Sequence, residues 1–396
     1  MTKINTLSGN AALSVGHMAG MIDLAALPLW ITALMESYKL QAPQAGLTVT
    51  LFLLGVVISS IYLSSKFEML PRRHVSFFGF SLSASCFIAI AILPIDPHSF
   101  LTLLILHFAA GLGSGSALSV THGCIGRSEN PHRLFGIVNV AMGVLAIIMF
   151  AVLPGLMHSM GAHVIFIAFS ITMGLAAVSA VLFFPDIETP PSNNFAPKAV
   201  RTEAYKLHST AWLIIAVIAC LALSQAIVFS YLDRIGDVRG FSKEKIQTLL
   251  VVMGFVNLLP GILAALLQKH LSPFGVGIAG LCLQGACALT ITNSHEYQLF
   301  AAPAAVYVTL TIFTHTFLFG MLSKIDPTGR AVAATPAMMM TGSALGPVLG
   351  GLIVTGVGYG GLGCAVLVIA CFAIGLLLRA RYVLNQSNES AMLANS

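Results

Sequence analysis

A chain of 396 residues could hold two or three soluble domains, but it is 57% apolar and only 8% charged, against about 25% charged residues in soluble domains. Its mean hydropathy of +0.92 points to lipid as the covering medium, which excludes a string of soluble enzyme domains. The net charge of +5 comes from basic residues scattered in ones and twos, so it speaks of membrane topology and not of nucleic acid.

Lys3 precedes an apolar run too long for a signal-peptide core and without a small-residue cleavage site, so this run is expected to stay attached as the first spanning helix. A spanning helix needs about 20 apolar residues. The segments that qualify are Ala11–Met35, Gly46–Ser64, Val75–Leu93, Phe100–Gly123, Phe135–Leu156 and His163–Phe184, then Ala211–Leu232, Ile246–Leu267, Phe274–Thr292, Phe300–Leu322, Ala331–Val357 and Gly360–Leu378. Between the two sets runs Asp186 to Ser209, with adjacent prolines at 190 and 191, adjacent asparagines at 193 and 194, and mixed charge, a composition that reads as an aqueous linker. The expectation is an all-α membrane protein of twelve transmembrane helices in two six-helix bundles: residues 1–185, a linker at 186–209, and 210–396 with a C-terminal tail.

Basic residues are retained on the cytoplasmic side. With the N-terminus inside, fourteen Lys and Arg fall on the side of the termini and linker and five on the other. Both termini and the linker are therefore expected in the cytoplasm, with the chain multi-pass in an inner (plasma) membrane. The count leaves no Lys or Arg inside a span. Seven cysteines, nearly all within apolar runs, form neither a disulfide framework nor a metal-binding C-x-x-C, and read as small packing residues.

The halves echo one another. K-F-E-M-L-P-R-R from Lys66 and Q-K-H-L-S-P-F-G from Gln268 each place a proline five residues on; Asn130-Pro131 followed by Arg133 has its counterpart in Asp326-Pro327 followed by Arg330. Parallel six-helix repeats with a site at their interface are a transporter plan. This layout, over essentially the whole chain, resembles the major facilitator superfamily of secondary transporters. The family loop G-x-x-x-D-R-x-G-R-R stands here as S-S-K-F-E-M-L-P-R-R, with Glu68, Arg72 and Arg73 in the charged places and both glycines replaced, by Ser64 and Pro71. The fourth-helix motif R-x-x-Q-G appears as H-F-A-A-G from His107 to Gly111. The exporter motif G-x-x-x-G-P-x-x-G-G is missing from the fifth span and stands in the eleventh, as Gly342, Gly346, Pro347, Gly350 and Gly351. The resemblance implies a gating role for the loop charges. The glycine set is read as a helix-packing motif.

Asp23 lies twelve residues into the first span, about 18 Å deep at 1.5 Å per residue. A carboxylate there is costly, must be protonated or paired, and is a functional-site hypothesis by default. It shares a stripe with Gly16, Gly20, Leu27 and Trp30, and Pro28 is expected to kink the helix one turn on. His107, inside the fourth span on a face with Gly111 and Ser114, is its natural partner, because in the resembled fold the first and fourth helices both line the central cavity. The competing reading is a neutral histidine bonded to a carbonyl across helices. Asp23 and His107 are expected to couple transport to protons. Trp30, Gly111, Ser114, Asn139, Gln225, Asn257 and His315 are expected to line the substrate cavity; polar groups in lipid also serve to join helices, at about 0.6 to 2 kcal/mol each. His17 and His122 also lie within or near spans.

No G-x-S-x-G, H-E-x-x-H or P-loop is present, so no enzyme, cofactor, metal or nucleic-acid role is expected. The partners expected are a small-molecule substrate, protons and lipid, around a monomer. The function expected is proton-coupled export of a small neutral, amphipathic or cationic organic compound. The alternatives are proton-coupled uptake of a small organic acid, with His107 and His315 as anion partners, and a non-transporting membrane sensor or scaffold.

Overall fold

The computed structural model describes residues 6–64, 66–94, 96, 99–185, 209–325 and 330–394. The expected linker, but for Ser209, lies outside the described residues. All regular structure among the described residues is helical, as it must be where no water satisfies the backbone. Among the described residues twelve segments are long and apolar enough to cross a membrane: Leu7–Ser37, Ala42–Leu63, Arg72–Ala91, Ser99–Ile125, Arg133–Met160, Val164–Phe183, Ser209–Val238, Lys243–Ala264, Pro273–Asn293, Tyr297–Leu322, Met339–Val357 and Gly360–Gln386. They are the first to twelfth spans below. Each overlaps its expected segment, so the protein is multi-pass and all-α.

Local chemistry sets the span starts. Asn130 accepts from the Arg133 N–H ahead of the fifth span, with Pro131 in the first turn; Ser272 does the same for Gly275 ahead of the ninth, with Pro273 next. A side-chain oxygen satisfies a donor that the helix cannot, and proline occupies a place where no donor is needed.

Within the first six spans the principal packing is second on fourth, third on fourth and third on sixth; within the last six it is seventh on eleventh, ninth on tenth and ninth on twelfth. The halves meet along second with eleventh, fifth with eighth, and first with seventh. A shift of six spans turns the first of these pairs into the second, so the interface has the pseudo-twofold character that the repeated breaks imply.

Three spans are broken. The first divides at Met21 into Leu7–Gly20 and Ile22–Ser37. The seventh divides at Ser230 and Tyr231, and the eighth between Val256 and Pro260. Pro28, where a kink is expected, sits inside the helix Ile22–Ser37, and the break in the first span lies seven residues earlier. Its place follows from packing: a Cβ on Gly20 would come within 2.6 Å of Leu118 in the fourth span, so the backbone meets its neighbour closely just where it turns. The seventh span runs on past its expected end to Val238, which brings Arg234 into a span and corrects the reading that none holds a Lys or Arg. Other spans take in basic residues at their ends, among them Arg72, Arg133, Lys243 and Arg379.

Candidate functional site

Asp23 begins the second half of the first span, in the first turn after the break. It is 7% exposed. The polar groups at its carboxyl are the N–H of its own residue and of Leu24, the latter also donating to the Met21 carbonyl at 3.0 Å. Ser114 reaches over from the fourth span to the Gly20 carbonyl at 3.5 Å, on the other side of the break. The sequence places the carboxylate at this depth; the break beside it is carried by tertiary packing.

His107 is not its partner. The ring donates from Nδ1 to the Leu103 carbonyl at 2.8 Å, and its Nε2 accepts from the Trp30 indole N–H at 3.2 Å. Both nitrogens are committed, which fixes the neutral Nδ1–H tautomer. Trp30 is itself fully enclosed, with Phe52, Phe87 and Phe169 rings 4.8 to 5.7 Å away. It braces the first, second, third, fourth and sixth spans and does not line a cavity. Gly111 is a contact point as well: a Cβ there would meet the Phe52 carbonyl oxygen at 2.0 Å. Both residues therefore depart from their expected cavity roles, because rings enclose Trp30 and the second span closes on the fourth at Gly111.

His17 and His122, to which the sequence assigns no role, do meet. Nδ1 of His17 lies 2.9 Å from Nε2 of His122. Asn139, exposed on the fifth span, faces the His17 ring while its amide N–H₂ donates to the Phe135 carbonyl.

In the second half, Asn257 stands at the eighth-span break and its Oδ1 accepts from Thr309 Oγ1 at 2.6 Å, tying the eighth span to the tenth. Gln225 is half-buried, and His315 is half-buried with its ring 4.9 Å from Phe319. No described hydrogen bond joins these two to Asp23, to each other or to Asn257. Gln284, which no sequence signal singles out, is fully buried and links the Leu221 carbonyl to Thr311 Oγ1.

At the end nearer the termini, the loop after the second span forms a short helical turn, Phe67–Met69. The Phe67 ring fits against Gly123, with the guanidinium of Arg72 4.7 Å and that of Arg127 5.1 Å from its centre. Two cations on one ring bind by its quadrupole and tie the loop to the fourth span. The Glu68 side chain lies outside the described residues. Arg73 is half-buried.

At the opposite, far end, the halves are latched. Thr32 donates to Asp233 Oδ2 at 2.6 Å, and Arg234 faces Glu36 at 3.4 Å. The Tyr231 hydroxyl reaches the carbonyls of both Ala42 and Pro347, Thr50 donates to Ala344 O, and Gln247 donates to Ala151 O. Gly351 makes the approach possible, since a Cβ on it would lie 2.5 Å from the Ala42 carbonyl oxygen; Gly342, Gly346 and Gly350 pack likewise on the seventh span. A cavity of about 380 Å³ sits over the latch, lined by Thr32, Glu36, His158, Asp233, Asp237 and Lys243 among others.

The described hydrogen bonds between the halves run from this far end inward to Thr50–Ala344, deeper in the second and eleventh spans. A two-bundle membrane protein with a buried carboxylate beside a helix break midway along its first span has the parts of a secondary transporter. Comparison with curated proteins finds no match. Among solved structures the fold is similar to a bacterial homologue of the human lysosomal transporter Spinster. Its inward-facing, unoccupied form matches at 15% identity and a TM-score of 0.70, over 94% of this chain and 96% of that one. Its inward-facing, occupied form matches at 14% identity and a TM-score of 0.71 with the same coverage. The sequence profile of the Major Facilitator Superfamily matches residues 13–335, and the chain belongs to that family of membrane transporters.

Proposed function

We propose that this transporter is proton-coupled and exports a small neutral, amphipathic or cationic organic compound, with Asp23 as the carboxylate that takes up and releases the proton. The observation that carries the reading is the setting of Asp23: buried, beside a helix break, and bonded to no other side chain among the described residues, so its charge can change without dismantling a fixed pair. His107 is assigned the role of a brace, since a proton on its Nε2 would oppose the Trp30 N–H. Ser114, Asn139, Gln225, Asn257 and His315 are proposed to offer polar contacts to substrate between the halves, and Arg72 and Arg73 to hold the gating loop.

The two halves and the linker are proposed to rock as units, with the termini in the cytoplasm of an inner (plasma) membrane and the chain acting as a monomer. In that orientation the far-end latch is proposed to close the outer face. Arg234 and the other basic residues that the spans take in lie toward their ends, so mid-membrane recognition of a cation or neutral molecule meets no fixed positive charge. Uptake of an organic acid loses one of its two anion partners in His107.

The test is proteoliposomes with an imposed proton gradient, given ethidium, tetraphenylphosphonium, chloramphenicol and lactate in turn. The reading expects gradient-dependent movement of ethidium, tetraphenylphosphonium or chloramphenicol against the proton flux. Movement of lactate with the protons, and of none of the other three, would contradict it.

A further inference from the structure

The His17–His122 contact joins the first and fourth spans well inside the bundle, on the termini side of the first-span break. His17 is 3% exposed, and its ring centre is 5.1 Å from that of His122. Only one hydrogen fits between nitrogens 2.9 Å apart. In the neutral pair one ring donates and the other accepts. Nε2 of His17 is buried without a hydrogen-bond partner, which is costly for a polar atom whichever tautomer is present.

A packing role alone does not call for that arrangement. His107, fifteen residues earlier on the same span, shows what a structural histidine looks like here, with both nitrogens bonded to groups that cannot titrate. The His17–His122 pair instead presents a bonded inner edge and, on His17, an outer nitrogen that completes no hydrogen bond. A proton added at an outer nitrogen turns the bridge into an imidazolium donating to an imidazole, a charge-assisted bond about twice as strong as the neutral one. A second proton would leave two cations facing each other across 2.9 Å, with no acceptor between them. The pair is built to hold one extra proton and to refuse two.

Few charges face it. From the fifth span come Phe135, whose ring lies against His122, and Asn139, which faces His17 without completing a hydrogen bond to its Nε2. The sixth span, packed on the first, brings no titratable residue. On the fourth span the other titratable residues are the committed His107 and the buried thiol of Cys124, two residues from His122. The nearest cation in sequence is Arg127, which lies over Phe67; Arg133 is exposed at the start of the fifth span. On the first span the carboxylate is Asp23, six residues on and across the break at Met21.

We propose that His17 and His122 form a single-proton store on the termini side of Asp23, sharing one added proton between two rings and handing it to or from that carboxylate through water. This rests on the reading of Asp23 as the coupling carboxylate. Each transfer moves one proton and no other atom: the pair gains a proton at an outer nitrogen, and the same nitrogen gives it up.

The experiment is nitrogen NMR of the full-length protein, purified in micelles and labelled with ¹⁵N-histidine, followed from neutral to acid pH beside His17→Gln, His122→Gln and His107→Gln. Proton uptake is counted potentiometrically on the same samples. The expected result is that the His17 and His122 signals move together in one step worth one proton. Either pair variant should displace the remaining partner's signal and its midpoint, and His107→Gln should leave both unchanged. Two independent titrations, uptake of two protons, or a partner signal indifferent to loss of the other ring would overturn the proposal. So would visible absorption of tetrahedral Co²⁺ that both pair variants abolish, which would make the pair a metal site. Because the NMR reads the pair directly, it decides this proposal even if Asp23 proves not to couple transport.

Discussion

The middle and the far end of the first span are built in opposite ways. At the far end Thr32 and Glu36 face named partners on the other half, Asp233 and Arg234; in the middle Asp23 is buried with only backbone donors of its own turn. Polar groups with fixed partners across an interface hold one state of the protein. A carboxylate without such a partner is left free to change its charge. The same contrast divides the histidines of the fourth span, with His107 committed on both sides and His122 bonded to another histidine.

If the far end is a latch, its pieces should be removable in graded fashion, read as labelling of Ser37→Cys by a membrane-impermeant maleimide in a background without other reactive cysteines. Gly351→Leu should act most strongly, since even a Cβ collides with the Ala42 carbonyl. Overpacking of this kind costs about 1–3 kcal/mol and more where backbone is the obstacle, so labelling should rise at least tenfold and transport should fail. Thr32→Val takes the donor from a carboxylate, a loss of about 1–3 kcal/mol, with a clear rise in labelling. Tyr231→Phe removes one hydroxyl shared by two carbonyls, about 1 kcal/mol, for a several-fold effect. Glu36→Gln should be nearly silent, because its bond is long and 42% exposed and surface pairs contribute about 0–1 kcal/mol. An equal effect from all four would mean that the far end is not a latch of separable bonds.

The brace offers the opposite control. Trp30→Phe keeps the apolar contacts but drops the N–H to His107, which should lower thermal stability by about 1 kcal/mol and leave proton movement as in the wild type. A loss of proton movement there would return His107 to the coupling path.

Much of the architecture is legible in the sequence itself. Run length and composition give the spans, because lipid tolerates little else, and a single acid deep in an apolar run marks Asp23. Which side chains meet across helices is not legible there. His17 and His122 are 105 residues apart, and no periodicity in either span encodes the register that brings them to 2.9 Å. The break at Met21 carries no local signal, because proline is the usual mark of a kink while here close contact between Gly20 and Leu118 decides. Asp233 and Arg234 read as a loop, since charge near a span end signals an exit, yet the seventh span turns at Tyr231 and carries them into the interface.

The central claim concerns Asp23, and one comparison addresses it: wild type and Asp23→Asn in proteoliposomes, with labelled ethidium as probe. Each is measured for exchange at equal concentrations on both sides and for accumulation driven by a proton gradient. Coupling through Asp23 predicts that the variant keeps exchange and loses accumulation. Accumulation at the wild-type level in Asp23→Asn would contradict it and make the carboxylate a structural group.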